Sequence, residues 1–284
     1  MKAALRLKPI TSILIIYVFC MVLRALEYML LRTDQTILGE AFVHKLGGIL
    51  ILALAMKYWA LSGSNIGLSK KSAVKKAAYG LLLGIVSFTA AYSIEVLLLV
   101  IHGHAPSMQG YVTGYALSGN RGDETGLLFF MLCILGNIIN VVMEEGVFRG
   151  LFIKLAENQF TFAKVVLISS ALFGLWHIAA PVRSLVDGEM DVSQAVVTAL
   201  LVVLMTGITG VKFCLLTRLS GSLWMPMADH FFNNTIINTV HVVTASGADI
   251  FQVVRISVAQ TLSFIVVLLI YWKTGARYKQ TFRG

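Results

Sequence analysis

Long apolar stretches alternate with short polar segments along the whole chain. A helix that crosses a bilayer needs about 20 mostly apolar residues. We predict a spanning helix in each of eight stretches, namely 10–31, 42–61, 76–101, 130–156, 162–180, 194–217, 223–243 and 251–272. Because the loops are short and no linker interrupts them, the sequence predicts an all-α bundle of about eight transmembrane helices.

Composition supports a polytopic membrane protein. Of the 284 residues, 57% are hydrophobic and 13% are charged, whereas a soluble domain averages about 25% charged residues. The first apolar run is too long for a signal peptide, carries Arg24 and lacks a small-residue cleavage site, so we expect it to be retained. Cys20, Cys133 and Cys214 lie inside apolar runs and are predicted to be buried and unpaired.

The net charge of +9 has a simpler source than nucleic-acid binding. Lysine and arginine accumulate in the cytoplasmic loops of membrane proteins, and with the N-terminus inside, every predicted inner segment is basic and every outer loop neutral or acidic. We therefore predict that both termini are cytoplasmic. We expect the lipid bilayer to surround the protein, and we expect no nucleic-acid partner. The sequence shows no compartment-targeting feature, which suggests the plasma membrane of a prokaryote.

Several polar residues lie inside the predicted spans. A charge at the bilayer centre costs at least about 2.5 kcal/mol, so each such residue is a functional-site hypothesis. The clearest anomaly is the adjacent pair Glu144 and Glu145 within a strongly apolar stretch. The full set is Arg24, Glu27, Glu95, Asn137, Asn140, Glu144, Glu145, Arg149, His177, Asp229, His230, Asn233, Asn234, Asn238 and His241.

Helical spacing separates the two glutamates. Glu145 and Arg149 are four residues apart in the favourable acid-before-base order, which predicts an ion pair. Glu144 has no such partner and is the better candidate for chemistry. His230 and Asn234 are also four apart, so they share one face of the seventh predicted helix.

Depth in the membrane gives a second test. At 1.5 Å per residue, Glu144, His177, His230 and Asn234 lie about 16, 20, 12 and 18 Å from the cytoplasmic ends of their predicted spans. These depths are all near the middle of a core of about 30 Å. The agreement requires the fourth helix to continue past Arg149 to about residue 155, so we predict a long fourth helix.

These residue types suit hydrolysis. A desolvated glutamate can take a proton from water, and a nearby histidine can orient that water or protonate a leaving amine. A histidine and an asparagine one turn apart offer two donors to an oxyanion. No motif places a serine or cysteine as nucleophile, so we expect water to attack an acyl bond directly.

The remaining misfits have a structural interpretation. Arg24 and Glu27 are three residues apart and are predicted to pair on one helix face. We expect Glu95 to belong to a buried or interfacial pair. His241, near the outer end of its span, is interpreted as a residue of helix packing.

Three short motifs lie between residues 144 and 234. They are Glu144-Glu145-Gly146-Val147-Phe148-Arg149, Phe173-Gly174-Leu175-Trp176-His177 and His230-Phe231-Phe232-Asn233-Asn234. At these motifs the chain resembles the CPBP or ABI intramembrane proteases, the group of type II CAAX prenyl proteases and bacteriocin-processing proteins. The resemblance implies an endopeptidase within the membrane, open to the cytoplasmic leaflet. The roles it implies are water activation by Glu144 and His177, oxyanion stabilisation by His230 and Asn234, and support from Glu145 and Arg149.

The resemblance also divides the chain. Residues 1–125 hold the first three predicted helices and match the family only in hydropathy, apart from residues 65–68. Residues 126–284 are predicted to form the catalytic region. The expected substrate is a membrane-associated peptide or protein, with peptide or bacteriocin processing favoured over prenyl-protein maturation. The sequence predicts no particular oligomeric state.

Zinc is an open alternative. Two histidines and a carboxylate can hold zinc with one position open, and the set would be Glu144, His177 and His230. The chain lacks the His-Glu-x-x-His helix of zinc proteases, and Asn234 is a poor zinc ligand. We therefore favour a mechanism without a cofactor.

Two other function classes remain open. One is a non-enzymatic immunity or scaffold protein that binds a peptide in the same cavity. The other is a small transporter in which Glu144, Glu145 and Glu95 relay protons. The sequence does not show the matching broken helices in its two halves that such transporters often have.

Overall fold

The computed structural model describes residues 8–113 and 124–275. Most of this is helical. The helices are α1 (Pro9–Leu26), α2 (Val43–Tyr58), α3 (Ala73–Ile101), α4 (Leu127–Glu144), α5 (Phe152–Ala156), α6 (Phe162–Trp176), α7 (Ala179–Val186), α8 (Val192–Ser220), α9 (Trp224–Thr239) and α10 (Gln252–Lys273). Two π-helical segments extend α1 and α4, at Glu27–Leu31 and Glu145–Leu151, and two 3₁₀ turns lie at Thr33–Gln35 and Gly63–Ile66.

The predicted fold class is confirmed. In the part of the chain that the structure describes, six helical segments are long and apolar enough to cross a membrane: Pro9–Gln35, Ala73–Ile101, Leu127–Ala156, Phe162–Val186, Val192–Ser220 and Gln252–Lys273. Helices α2 and α9 fill the other two predicted stretches but have only 16 residues each. The protein is thus a multi-pass helical membrane protein. The count of eight spans and the orientation stay predictions, and most of the basic residues at the two chain ends lie outside the described residues.

The long fourth helix is confirmed. Helical structure runs without interruption from Leu127 to Ala156, through α4, the π segment and α5. Glu144 is the last residue of α4, and the π segment begins at Glu145. The acidic pair therefore lies well inside a continuous helix, as the depth estimate requires.

Two predicted helices end at earlier residues than hydropathy indicates. Helix α6 ends at Trp176 rather than at residue 180, because Pro181 has no N–H to donate to the carbonyl group of His177. Helix α9 ends at Thr239 rather than at residue 243, and the following β-branched residues form strand β2 (Val240–Thr244). This strand pairs antiparallel with β1 (Ser107–Gly110) and β3 (Gly247–Ala248) in the order β1-β2-β3.

Close backbone packing holds α3 against α9. A Cβ atom added to Gly80 would lie 2.1 Å from the carbonyl oxygen of Met225, and one added to Gly84 would lie 2.7 Å from a ring carbon of Phe232. Small residues four apart on one helix face allow helices to approach this closely in a membrane. The contact fixes α9, which carries His230.

Candidate functional site

The four predicted catalytic residues line one cavity of about 250 Å³. Glu144 ends α4, His177 lies in the break between α6 and α7, and His230 and Asn234 share one face of α9. The structure therefore brings all four together from three parts of the chain. The complete lining is Arg24, Tyr28, Glu40, Lys45, Asn137, Asn140, Glu144, His177, Ala180, His230, Asn234, Ile237 and Asn238.

The two oxygens of Glu144 have different surroundings. The indole N–H of Trp176 donates to Oε1 at 2.8 Å, and the Arg24 guanidinium lies 3.8 Å from the same oxygen. The other oxygen, Oε2, lies 3.7 Å from Nε2 of His230. The side chain is buried, with 3% of its surface exposed. One oxygen thus holds the carboxylate in place while the other is available to a bound molecule.

The predicted pair of Arg24 and Glu27 is wrong. Arg24 turns instead toward Glu144, and its guanidinium lies over the Trp176 ring at 4.4 Å from the ring centre. A second contact joins Arg24 Nη2 to the Tyr28 hydroxyl group at 3.1 Å. Sequence reasoning identified Arg24 as a misfit but missed its place in the cavity, because helical spacing reports only partners within one helix.

Glu27 binds the first residues of α2 rather than Arg24. Its carboxylate accepts the backbone N–H groups of Val43 at 2.8 Å and His44 at 2.5 Å. The His44 ring nitrogen Nδ1 lies 2.6 Å from the same carboxylate. A helix begins with N–H groups that have no partner within the helix, and a carboxylate there satisfies them. Glu27 therefore fastens the start of α2.

Glu145 and Arg149 are paired, as their spacing predicts. Arg149 Nη1 lies 3.4 Å from Glu145 Oε1, and both side chains are fully buried. The guanidinium also lies over the ring of Phe173, 3.8 Å from its centre. The same oxygen of Glu145 accepts a hydrogen bond from His230 Nδ1 at 2.9 Å. Glu145 thus links the arginine to a histidine of the cavity.

Each histidine has one ring nitrogen fixed by a partner. His177 donates from Nδ1 to the carbonyl oxygen of Phe173 at 2.9 Å, which leaves Nε2 as the acceptor of a neutral ring. His230 donates from Nδ1 to Glu145, and its ring stacks on Phe213 with 4.7 Å between ring centres. Such second partners set the orientation of a histidine.

Asn234 is held through its neighbour. The side-chain oxygen of Asn234 accepts a hydrogen bond from Asn233 Nδ2 at 3.3 Å, so its NH₂ group is free for other partners.

Across the cavity Lys45 and Glu40 form an ion pair of 2.6 Å. Sequence reasoning missed both of these residues as cavity residues, since they lie in the region that shows only a hydropathy resemblance.

The π segment at the site was also missed. All seven residues from Glu145 to Leu151 are buried in a stretch where the backbone is wider than an α-helix. Such segments are rare and often mark functional sites. Two glycines allow neighbouring side chains to pack closely against this segment, because added Cβ atoms at Gly146 and Gly150 would lie 2.6 Å from Leu52 and 3.0 Å from Leu223.

The three residues of the alternative zinc set, Glu144, His177 and His230, all line this cavity. Within residues 8–113 and 124–275 no three His, Cys, Asp or Glu side chains converge closely enough to hold a metal ion. Of the predicted set, His230 Nε2 and Glu144 Oε2 are 3.7 Å apart, and the cationic Arg24 lies beside the carboxylate that a metal would need.

Two further misfit residues, Glu95 and His241, belong to a network near the C-terminal end of α9. Glu95 pairs with Arg255 at 2.7 Å, and Arg255 also contacts Asp249 at 2.9 Å. His241 lies 2.5 Å from Asp249 and stacks on Tyr111. The predicted buried pair of Glu95 is confirmed. His241 has a structural role, but the prediction that it packs between helices is wrong, because it lies on strand β2.

Fold and site together define a multi-pass helical membrane protein with a cavity lined by glutamate, histidine and asparagine side chains. Residues 126–236 match the family model described as type II CAAX prenyl endopeptidase Rce1-like. The matched region contains all three motifs, and it confirms the resemblance to the CPBP family. At family level it supports a CAAX-type endopeptidase. Comparisons with curated proteins and with solved structures find no match.

Proposed function

We propose that the protein is an intramembrane endopeptidase that hydrolyses a peptide bond of a membrane-associated peptide or protein. The observation that carries the proposal is the convergence of Glu144, His177, His230 and Asn234 on one cavity inside the helical bundle. The family match over the same residues supports it.

Glu144 and His177 activate the attacking water molecule. Both offer acceptors toward the cavity, through Glu144 Oε2 and His177 Nε2, since their other polar atoms already have partners. A water that donates to both keeps an oxygen lone pair for the substrate carbonyl carbon. As the new C–O bond forms, the proton of the water passes to Glu144.

His230 and Asn234 stabilise the charge that develops on the carbonyl oxygen. Asn234 offers its NH₂ group. His230 offers Nε2–H when the ring carries both protons, one of which is donated to Glu145. Fixed donors of this kind are worth about 10²- to 10³-fold in kcat each. Collapse of the intermediate breaks the C–N bond, and the proton held by Glu144 goes to the leaving nitrogen.

Substrates can be found by comparing cells that carry the wild type with cells that carry Glu144→Gln. Mass spectrometry of peptides and membrane proteins should show fragments that depend on the wild type. Glu157→Gln is the matched control, because Glu157 pairs with Lys154 at 2.8 Å, and neither residue lines the cavity. A phenotype such as bacteriocin protection that survives Glu144→Gln combined with His230→Ala would instead favour a non-enzymatic binding protein.

Metal dependence has its own test. We expect the purified protein to keep its activity in the presence of a chelator. Stoichiometric zinc, with activity that is lost on chelation and restored by zinc, would overturn the metal-independent mechanism.

A further inference from the structure

A chain of hydrogen-bonded polar side chains, which starts at the buried Lys212 and continues through half-buried amides, connects α8 and α10 to Asn234. Lys212 on α8 donates to Gln260 Oε1 at 2.9 Å. Gln260 on α10 donates from Nε2 to Asn233 Oδ1 at 2.8 Å. Asn233 donates from Nδ2 to Asn234 Oδ1 at 3.3 Å. The chain therefore ends at a residue of the cavity.

Lys212 anchors this chain. Its side chain is buried, and the ammonium group contacts three oxygens: Asp229 at 2.7 Å, Gln260 at 2.9 Å and Ser263 at 3.2 Å. A buried charge is retained only where it is paired and hydrogen-bonded. Loss of one partner of such a buried pair strongly destabilises a fold. We therefore expect the Lys212 ammonium group to keep its position.

Lys212 also determines how the neighbouring side-chain amides are oriented. An ammonium group can only donate, whereas an amide side chain can present either its oxygen or its NH₂ group. Lys212 therefore requires the oxygen of Gln260, which leaves the Gln260 NH₂ group for the oxygen of Asn233. The NH₂ group of Asn233 in turn faces the oxygen of Asn234. Each amide is fixed by the one before it.

We propose that Lys212, Gln260 and Asn233 are positioning residues that make Asn234 present its N–H donors, rather than its oxygen, to the cavity. This inference rests on the proposed role of Asn234 as an oxyanion donor. If the amide turned around, an oxygen atom would face the developing negative charge. The expected loss is that of one oxyanion donor, about 10²- to 10³-fold in kcat.

The decisive variant is Gln260→Glu. A carboxylate at position 260 still accepts from Lys212 but cannot donate, so Asn233 must turn its NH₂ group toward it. Asn233 then presents its oxygen to Asn234, whose NH₂ group turns away from the cavity. Asn233→Asp reverses only the last hydrogen bond, the one between residues 233 and 234. Its carboxylate accepts from Gln260 and from Asn234. Both variants keep side-chain size.

The test uses purified protein in nanodiscs and a quenched fluorescent peptide built on a cleavage site found by mass spectrometry. We expect kcat to fall about 10²- to 10³-fold in each variant, with KM within a few-fold of the wild type. Gln252→Glu, on the same helix but outside the chain, is the control for added charge and should leave kcat unchanged. Thermal melting shows whether each variant is folded.

A double-mutant cycle separates orientation from mere structural support. In an Asn234→Ala background we expect Gln260→Glu to reduce kcat little further, because no amide remains to be turned. Effects that multiply in that background would overturn the positioning role. So would wild-type kcat in both Gln260→Glu and Asn233→Asp when Asn234→Ala is impaired. If Asn234→Ala itself keeps wild-type kcat, the proposed role of Asn234 is what fails.

Discussion

The two adjacent glutamates have the same chemistry and different surroundings. Glu145 is paired with Arg149 and accepts a hydrogen bond from His230. Glu144 is held at one oxygen by Trp176 and Arg24, while its second oxygen remains at the cavity. This division supports a positioning task for Glu145 and acid–base chemistry for Glu144.

The hydrogen bond from Trp176 to Glu144 can be tested by Trp176→Phe. Hydrogen bonds to charged groups are worth about 1.5–3 kcal/mol, and the loss frees the carboxylate to leave its catalytic orientation. We expect kcat to fall at least about 10-fold, with a moderate loss of stability. The measurement is cleavage kinetics together with thermal melting.

Trp224→Phe is the matched control. Trp224 also donates its indole N–H, to the carbonyl oxygen of Ser69 at 2.9 Å, and does not line the cavity. This variant should lose stability while keeping kcat. Equal kcat losses in the two variants would contradict the assigned role of Trp176.

Residue-scale prediction from sequence succeeded where partners share a helix. The spacing of Glu145 and Arg149 gave their ion pair because residues four apart on a helix meet. The partners Arg24 and Trp176 of Glu144 come from other helices, and no local spacing reports them. The orientation of Asn234 likewise depends on Lys212 and Gln260, which approach only in the folded bundle.

At the scale of elements, hydropathy located the helices. It did not indicate where an α-helix becomes a π-helix, breaks or gives way to a strand. Apolar length predicts a span but does not distinguish an α-helix from the π segment at Glu145–Leu151. The break after α6 places His177 in the cavity, and Pro181 was its sequence signal. The strand β2 followed from a β-branched run that also suited a hydrophobic helix end.

The contact of α3 with α9 is tested by Gly80→Ala. The added methyl group would lie 2.1 Å from the backbone carbonyl of Met225, which cannot move aside as a side chain can. Overpacking of this kind costs about 1–3 kcal/mol or more. We expect a lower melting temperature and a lower kcat, since α9 carries His230 and Asn234.

Gly207→Ala is the control for a glycine within a helix. Its added methyl group would meet only ordinary contact, 3.6 Å from the carbonyl oxygen of Ser170. Helix propensity favours alanine by roughly 1 kcal/mol, so this variant should be neutral or stabilised. An unchanged melting temperature for Gly80→Ala would show that α3 and α9 are not tightly packed there.

At the scale of the whole molecule, the two predicted regions form one structure. Ion pairs join residues 1–125 to residues 126–284, including Arg24 with Glu144 and Asp34 with Arg183 at 2.9 Å. The N-terminal helices also supply Lys45 to the cavity. A family resemblance confined to the second region therefore does not mean that this region acts alone.

A further ion pair between the two regions, Arg32 with Asp187 at 2.6 Å, predicts a dependence on pH. Hydrogen bonds from Arg32 and Arg183 hold the pKa of Asp187 below its usual value, and Asp187 lies outside the membrane-spanning helices. The ionised carboxylate stabilises the fold above its ordinary pKa, and the contribution is lost as pH falls through the lower, folded pKa. Asp187→Asn should therefore lower the melting temperature slightly near pH 7, by an amount that shrinks below about pH 4. A difference that grows as the pH falls would contradict this connection.

The most direct test of the central claim is the kcat of Glu144→Gln on a defined peptide, beside the wild type, in the same nanodiscs. Glutamine keeps the size of the side chain and its contact with Trp176 but cannot accept a proton from water. We predict a loss of at least about 10³-fold in kcat in protein that thermal melting shows to be folded. Cleavage at the wild-type rate by folded Glu144→Gln would contradict the assignment of Glu144 as the residue that activates water.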